Sequence, residues 1–393
     1  MVSSVPMHQT RRRRRLMKSS MQKKYAVYLW EPETSPHKLP LFYQLLASNR
    51  ISSATFIAQS ELGEHRQVQG WQTDLSEGAP VILSPTRDEI DSIVANSPRD
   101  SVHIFSGIHW VPCIVEGLRA VVRHNRRFGL LHEPRVFEGV RGWARLMHSW
   151  STETHIRRHA NFVLAVGAHG PSWFRMAGYR NDRIFPFAYF LPKPPAASTA
   201  SFEIIGTSVP TISFLGRLER LKGIHLFLDA INYLKSDTNI CIAGHGTCSS
   251  LVKEAQKRYP KVKFFGAIKM AEVPYFLSKT DILVLPSITK DDGWGAVVSE
   301  ALMSGAAVVA SYKVGASMCL MDEALGTVVR RLNGREVAAA TDKIIASGLC
   351  KQFYRNFRTQ WADRHLTQSI GAEYLLKIFD HLFEGEPHPT SFV

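Results

Sequence analysis

The densest run of chemically capable side chains is Gly216-Arg217-Leu218-Glu219-Arg220-Leu221-Lys222-Gly223. It follows an apolar run, Thr211 to Leu215, that reads as a strand, and a helix starts near Ile224. A glycine at a strand end lets a ligand approach the backbone. Arg217 offers a planar fork of donors and Lys222 a compact point charge, a combination suited to two linked phosphates. Solvated charges around a turn would look the same, and spacing alone leaves both readings open. The next strand ends in Ala243-Gly244-His245-Gly246-Thr247. It lacks the third glycine of a dinucleotide fingerprint, which argues against a nicotinamide site, and it fits a tight turn against a ligand or a helix start.

A later strand ends in Leu285-Pro286-Ser287, followed by Asp291-Asp292-Gly293-Trp294-Gly295 and a helical run containing Glu300. The glycines leave backbone N–H groups open at the helix start, where an anion is favoured. A carboxylate there accepts paired hydrogen bonds from vicinal hydroxyls, such as those of a ribose. The alternative is Asp292 as an N-cap and Glu300 as a surface acid.

These residues need a scaffold that ends several strands at one place. Short apolar runs alternate with amphipathic stretches along the chain. Tyr25 to Trp30, Ala54 to Ala58, Val81 to Leu83, Val102 to Phe105, Phe128 to Leu131 and Phe162 to Val166 read as strands. A second series comprises Thr211 to Leu215, Asn239 to Ala243, Val262 to Phe265, Asp281 to Leu285, Ala307 to Ala310 and Gly326 to Val329. Being apolar on both faces, they read as buried parallel strands, and stretches such as Leu39 to Ala47 and Val111 to His124 as the crossover helices. The Pro-rich Lys193-Pro194-Pro195-Ala196-Ala197-Ser198 separates the two series as a linker. The expected division is a basic tail at 1–24, α/β domains at 25–195 and 196–370, and a helix at 371–393 that returns to the first domain. The run Lys351 to Phe383 reads as helical, with Phe353, Phe357, Trp361, Tyr374, Leu375, Phe379 and Leu382 buried. Ligands of open parallel sheets sit beyond the carboxyl ends of the strands, so the expected site is the cleft between two such sheets.

The composition is that of an ordinary globular protein, 45% hydrophobic and 21% charged over 393 residues, which excludes disordered and collagen-like classes. Eight of the 14 net positive charges fall in the first 24 residues, which contain Arg11 to Arg15 and no acid. Such a tail can meet nucleic acid or an anionic membrane, or be a mere extension; no nucleic-acid module stands beside it, so nucleic acid is disfavoured. Five cysteines lie far apart without a C-x-x-C, the pattern of reduced, mostly buried thiols in a cytoplasmic protein. No run of ~18 apolar residues suggests a spanning helix, and no apolar core follows the basic region as in a secretory signal.

In their order, Gly-Arg-x4-Lys-Gly, Ala-Gly-x-Gly, Phe-Phe-Gly, Asp-Ile-Leu-Val-Leu-Pro-Ser and acid-x7-Glu-Ala-Leu, these motifs resemble the retaining nucleotide-sugar glycosyltransferases of the GT-B fold, family 4. The resemblance is strong from Pro210 to Ala316 and covers the first half only in layout. It implies two Rossmann-like domains facing each other across a cleft, a nucleotide-diphosphate sugar as donor, and a saccharide or lipid-linked acceptor, in polysaccharide or lipopolysaccharide assembly. Arg217 and Lys222 then grip the diphosphate and stabilise the leaving group, and Glu300 holds the ribose hydroxyls. Asp292 stands where the family has Glu, one methylene shorter, against the transferred sugar. Gly216, Gly244, Gly246, Pro286, Gly295 and Gly315 shape the donor side, and Ile268 presents backbone to the nucleobase. The chain has no Asp-x-Asp and no metal-spaced His/Cys cluster, so the expected transfer is metal-independent and without cofactor.

The acceptor half is less legible. His132 and Glu133 follow the strand Phe128 to Leu131, where the family often places a cleft-facing His or acid. His37 lies in a loop that lacks the family's glycine-rich turn, and His109 follows another strand end. All three histidines and Glu133 are acceptor-side candidates, although each histidine also suits a structural role. The Arg- and Trp-rich stretch from Arg123 to Arg158 reads either as a face for an anionic acceptor or lipid surface, or as a solvated helix with aromatic anchors. Two other classes fit part of the pattern: a different GT-B enzyme, such as an epimerase or phosphorylase, and a non-catalytic nucleotide-sugar or nucleic-acid binder. The expected setting is the cytoplasm, either free or peripheral at the inner face of the membrane.

Overall fold

The structure, a computed structural model, describes residues 24–63, 75, 79–195, 199–204, 208–290 and 293–393. The basic tail up to residue 23 and the linker residues Ala196 to Ser198 lie outside that set. The first half builds a seven-stranded sheet from β1 (Tyr25–Glu33), β2 (Ile51–Ser60), β3 (Val81–Leu83), β4 (Val102–Phe105), β5 (Arg127–His132), β6 (Phe162–Val166) and β7 (Ile184–Phe187). The second builds a six-stranded sheet from β8 (Thr211–Leu215), β9 (Asn239–Ala243), β10 (Val262–Phe264), β11 (Ile282–Leu285), β12 (Ala307–Ser311) and β13 (Gly326–Val329). The spatial orders are β3-β2-β1-β4-β5-β6-β7 and β10-β9-β8-β11-β12-β13, and the paired strands run parallel.

Every strand expected from the sequence is present within a few residues of its expected ends. The one missed is β7. Its sequence, Ile-Phe-Pro-Phe, carries a proline that cannot donate to a ladder. The fold tolerates it because β7 is an edge strand, where a missing N–H costs nothing on the open side.

The helices that matter for the site are α1 (Leu39–Leu46), α2 (Pro112–Arg123), α3 (Gly139–Thr152), α4 (Gly170–Met176), α5 (Ile224–Ala230), α6 (Ala296–Met303), α7 (Gln352–His365) and α8 (Gln368–Glu384). Proline opens α2, where its missing N–H is one of the unpaired donors of a first turn anyway. The C-terminal run is not one helix. It breaks at Leu366-Thr367, where Leu191 on the crossing strand donates to the Leu366 carbonyl (3.1 Å) and accepts from the Gln368 N–H (3.0 Å). Phe353, expected in the core, is exposed; it sits on the first turn of α7, before that helix reaches the second sheet. Tyr374, Leu375 and Phe379 are buried as expected.

α8 returns to the first half and packs on α1. Asp380 on α8 takes a bidentate pair from Arg50 (2.8 and 2.6 Å) and a third hydrogen bond from the Tyr25 hydroxyl (3.1 Å). A continuous apolar core includes Phe162 and Phe187 of the first sheet, Tyr374 and Phe379 of α8, and Trp294, Leu302 and Ala310 of the second half. The five cysteines are free thiols. Burial pushes Cys113 up to about 12 and Cys241 up to about 11, which leaves them protonated and unreactive. Among the described residues no helix is long and apolar enough to cross a membrane.

Asp380→Asn keeps the shape of α8 but leaves the Arg50 guanidinium, 14% exposed, without its charge partner. The expected cost is on the order of 2 kcal/mol, read as a lower thermal midpoint. An unchanged midpoint would show that the apolar core alone holds α8 in place.

Candidate functional site

The order of the strands decides where the site can be. β1 is flanked by β2 and β4, and β8 by β9 and β11, so each sheet reverses its winding at one point. Loops leaving neighbouring strands there diverge to opposite faces and open a crevice. The loops after β1 and β4 face those after β8 and β11 across a cavity of about 610 Å³. That volume suits a nucleotide-sized ligand.

On the second-half wall, Gly216 and Arg217 follow β8, Gly244 and His245 follow β9, and Ile268 follows β10. A Cβ on Gly244, whose φ is +140°, would lie 1.9 Å from the Gly216 carbonyl oxygen. Only glycine lets these two loops stack and present backbone to the cavity. Gly246 and Pro286 do not line it. Gly246 abuts the Leu218 carbonyl and the Pro286 carbonyl abuts Gly223, so they shape the lining loops from behind. The backbone N–H and C=O of Ile268 have no protein partner among the described residues. They are free for an in-plane edge such as a nucleobase, next to apolar Met270 and Val273.

Glu300 lines the cavity from the second turn of α6. Burial alone pushes its carboxyl up to about 7, and no described protein group hydrogen-bonds it. Glu300 is thus a half-buried acid of the cavity wall. Gly295, with φ +79°, precedes α6 and also lines the cavity. Lys222 is drawn down to about 8, first by burial and then by the like charge of Arg217, against the pull of Glu133 and Glu219. Its ammonium thus sits among wall charges from both halves. Asp292 lies outside the described residues.

On the first-half wall, the structure brings His37, His132 and Glu133 to the cavity. Burial holds His132 below its ordinary value, so it is neutral at pH 7. Its Nδ1–H donates to the Glu133 carbonyl, which leaves Nε2 as the acceptor nitrogen. The Glu133 carboxylate accepts from the Tyr189 hydroxyl and closes on Gly293, where a Cβ would meet it at 2.0 Å.

His109 is elsewhere. Its Nε2 lies 3.1 Å from Glu153, a fully buried carboxylate that Ser149, Tyr179 and Arg135 also hold. Although burial works against its charge, Arg135, Ser149 and Tyr179 keep Glu153 below its usual range. His109 therefore anchors a loop and does not face the cavity. Gly315 also stands outside the cavity. Its carbonyl accepts from Ala168 of the first half (2.9 Å), and a Cβ on it would come 2.1 Å from the Gly293 oxygen. It is a point of contact between the halves.

One group escaped the sequence reading. Lys38 donates to the Ser106 hydroxyl (3.0 Å), which donates to Glu31 (2.5 Å); Lys38 also lies 4.8 Å over the Tyr189 ring. All four residues line the cavity. Glu31 lies near the end of β1 and Ser106 follows β4, the two strands of the switch point. That position at the switch point was the signal available in the sequence.

Residues 201–360 match the family model described as Glycosyl transferases group 1. Phosphatidyl-myo-inositol mannosyltransferase of Mycobacterium tuberculosis is 30% identical over 137 residues, 34% of this chain and 36% of that protein. Soluble starch synthase 2-1 of Oryza sativa is 25% identical over 182 residues, 44% of this chain and 24% of that protein. The chain thus spans about a third or less of the length of these curated relatives. Over the whole chain the likeness is structural. HepE of Anabaena in complex with UDP superposes with a TM-score of 0.69 at 14% identity, over 91% of this chain and 100% of that one. Sucrose-phosphate synthase of Thermosynechococcus elongatus gives 0.66 at 14%, over 92% and 100%. The fold is GT-B: two Rossmann-like parallel sheets across a cleft, with a group 1 glycosyltransferase match in the second.

Glu300 supplies a test with a definite sign. Its folded value of about 7 is above its ordinary 4.5. Between those values the native state keeps a proton that the unfolded chain has lost, so stability falls as pH rises through the window and stays reduced above it. Glu300→Gln removes that penalty. At pH 8 it should raise the midpoint of the ligand-free protein by a few degrees, from ~2–3 kcal/mol. At pH 4, where both states carry the proton, it should change little. A destabilised Gln variant at pH 8 would mean that the carboxylate is held by the protein itself.

Proposed function

We propose that this chain is a retaining glycosyltransferase of family 4, which moves a hexosyl group from a nucleotide-diphosphate sugar to a hydroxyl of a saccharide or lipid-linked acceptor. One observation carries the reading: Arg217, Glu300 and Ile268 line one cavity, the Glu300 carboxyl and the Ile268 backbone without a partner among the described residues, and Lys222 lies within electrostatic reach of Arg217. These suit, in order, a diphosphate, a pair of ribose hydroxyls and a base edge. The group 1 match over the same half supports it, as do the titles of neighbours, among them HepE with UDP-glucose and the lipopolysaccharide outer core galactosyltransferase WaaB. A role in polysaccharide or lipopolysaccharide assembly follows from that likeness.

The chemistry divides between the walls. Arg217 and Lys222 hold the diphosphate and stabilise the charge that grows on it as the bond from the anomeric carbon to phosphate oxygen breaks. The acceptor oxygen bonds the same carbon from the same face, and its proton passes to the leaving phosphate. No second carboxylate is needed as a covalent nucleophile on this route. Asp292 contacts the transferred sugar. Neutral His132, with Nε2 as acceptor, positions the acceptor hydroxyl, aided by Glu133 and His37. The positive charges do the electrostatic work on the leaving group, so the transfer is metal-independent.

Lys222→Ala and Glu300→Ala should each lower turnover at least ~10²-fold through lost transition-state electrostatics and donor placement; near-normal rates for both would reject the assignment. Product with the donor's anomeric configuration, seen by NMR, supports retention, and inversion rejects it. Full rate in excess EDTA is expected, and loss restored by Mg²⁺ would overturn metal independence. A thermal-shift series with UDP-, GDP- and ADP-sugars identifies the base, since the bound donor stabilises the fold by mass action. Release of sugar 1-phosphate without acceptor would indicate a phosphorylase instead.

A further inference from the structure

The most unusual surface lies away from the cleft cavity, on α3. Gly142, Leu146 and Ser149 turn inward. Val140, Trp143, Met147 and Trp150 point outward at 87%, 61%, 59% and 51% exposure. At about 100° per residue these four fall within an arc of ~80°, so α3 carries a second apolar stripe that none of the described residues covers. A globular surface helix is expected to be polar there. Trp150 is fixed in place, its Nε1–H donating to the Met176 carbonyl at the end of α4 (3.0 Å), and Trp143 rests edge-on against Phe137.

A further exposed tryptophan lies on another flank of the same helix. Trp110, 90% exposed, sits in the loop after β4 with φ +75°, a left-handed conformation that is costly for a bulky residue. The preceding residue, His109, pins this loop to the C-terminal end of α3 through Glu153, Thr152 and a ring contact with His148. The buried Glu153 cluster therefore has an outward effect: it holds a third tryptophan out into solvent.

Beyond the N-cap acid Glu138, which is paired with Lys313, the charge along α3 and the segment after it has one sign. From Gly139 to Asn181 the sequence has six arginines, and its sole acid is the buried Glu153. Arg141, Arg145, Arg158 and Arg175 are exposed and make no ion pair among the described residues. The apolar side chains protrude from a convex helix, which suits a fluid surface better than a protein groove. Tryptophan prefers the headgroup level of a bilayer, and arginine prefers anionic lipid.

We infer that the outer face of α3 is a docking surface for an anionic lipid bilayer, independent of the basic tail and of the donor site.

The test uses the full-length chain with phosphatidylcholine vesicles, with and without phosphatidylglycerol. The wild type should bind the anionic vesicles, less so at high salt, with a blue shift in tryptophan emission. The variant Trp143→Ala/Met147→Ser/Trp150→Ala should lose at least ~10-fold in partitioning and most of the blue shift. Its thermal midpoint and its nucleotide-sugar thermal shift should stay as in the wild type. Replacing Arg11 to Arg15 by serine should leave the blue shift in place. The inference fails if the wild type binds neither vesicle, if the triple variant binds like the wild type, or if the serine tail abolishes binding. Concentration-dependent dimers that the triple variant dissolves, without vesicle binding, would assign the face to a second copy of the chain.

Discussion

The cleft depends on how closely three loops approach one another at Gly167, Gly293 and Gly315. A Cβ on Gly167 would lie 2.7 Å from the Gly315 Cα, and one on Gly315 2.1 Å from the Gly293 oxygen. Through these contacts the loop after β6 of the first sheet touches the loop after β12 of the second, which in turn binds the Gly293-Trp294-Gly295 turn by the Gly315 and Ala316 N–H groups. That turn starts α6 and so sets where Glu300 stands. It also receives the Glu133 carboxylate from the other half. Any larger side chain at this junction would push the walls apart and carry Glu300 and Glu133 with them. Around it, α8 clamps the outer corner through Asp380, so the two sheets are held at an inner and an outer point.

Within that frame the site is defined by charges kept out of water. Glu300 and Lys222 are shifted in opposite directions, both toward neutrality and both chiefly by burial. Enclosing such groups costs free energy that a bound ligand can offset. A ligand that brings negative charge to Lys222 and hydroxyl donors to Glu300 removes both costs at once, so binding and the charge state of the empty site are linked. The first-half wall is different: Glu31, Lys38, Ser106, Tyr189 and Glu133 are largely satisfied by one another, which is the character of a shaped surface for hydroxyl-bearing groups.

The Glu153 cluster shows how one buried carboxylate serves an exposed surface. It cannot be left unpaired in the interior, so Arg135, His109, Ser149 and Tyr179 converge on it. In doing so they lock the end of α3 to the loop of Trp110. His109, which stands at a strand end like a site residue, is spent on this lock.

Much of this was legible from residue order. Runs such as Thr211 to Leu215 are apolar on both faces, and only a covered parallel sheet accommodates that, so the strands and the α/β class follow from local pattern. The chemistry of Arg217, Lys222 and Glu300 is likewise carried by residue type at strand and helix ends. What the chain could not declare locally depended on partners distant in sequence. β7 hid behind Pro186 because its tolerance depends on its being an edge. The Lys38-Ser106-Glu31 group joins two loops some seventy residues apart. Whether a histidine faces a cavity, as His132 does, or a buried acid, as His109 does, is decided by what the other strands bring opposite it. Side-chain type and periodicity are local properties and survive in the sequence alone; enclosure, charge pairing and the approach of one backbone to another exist only when the two sheets are folded together.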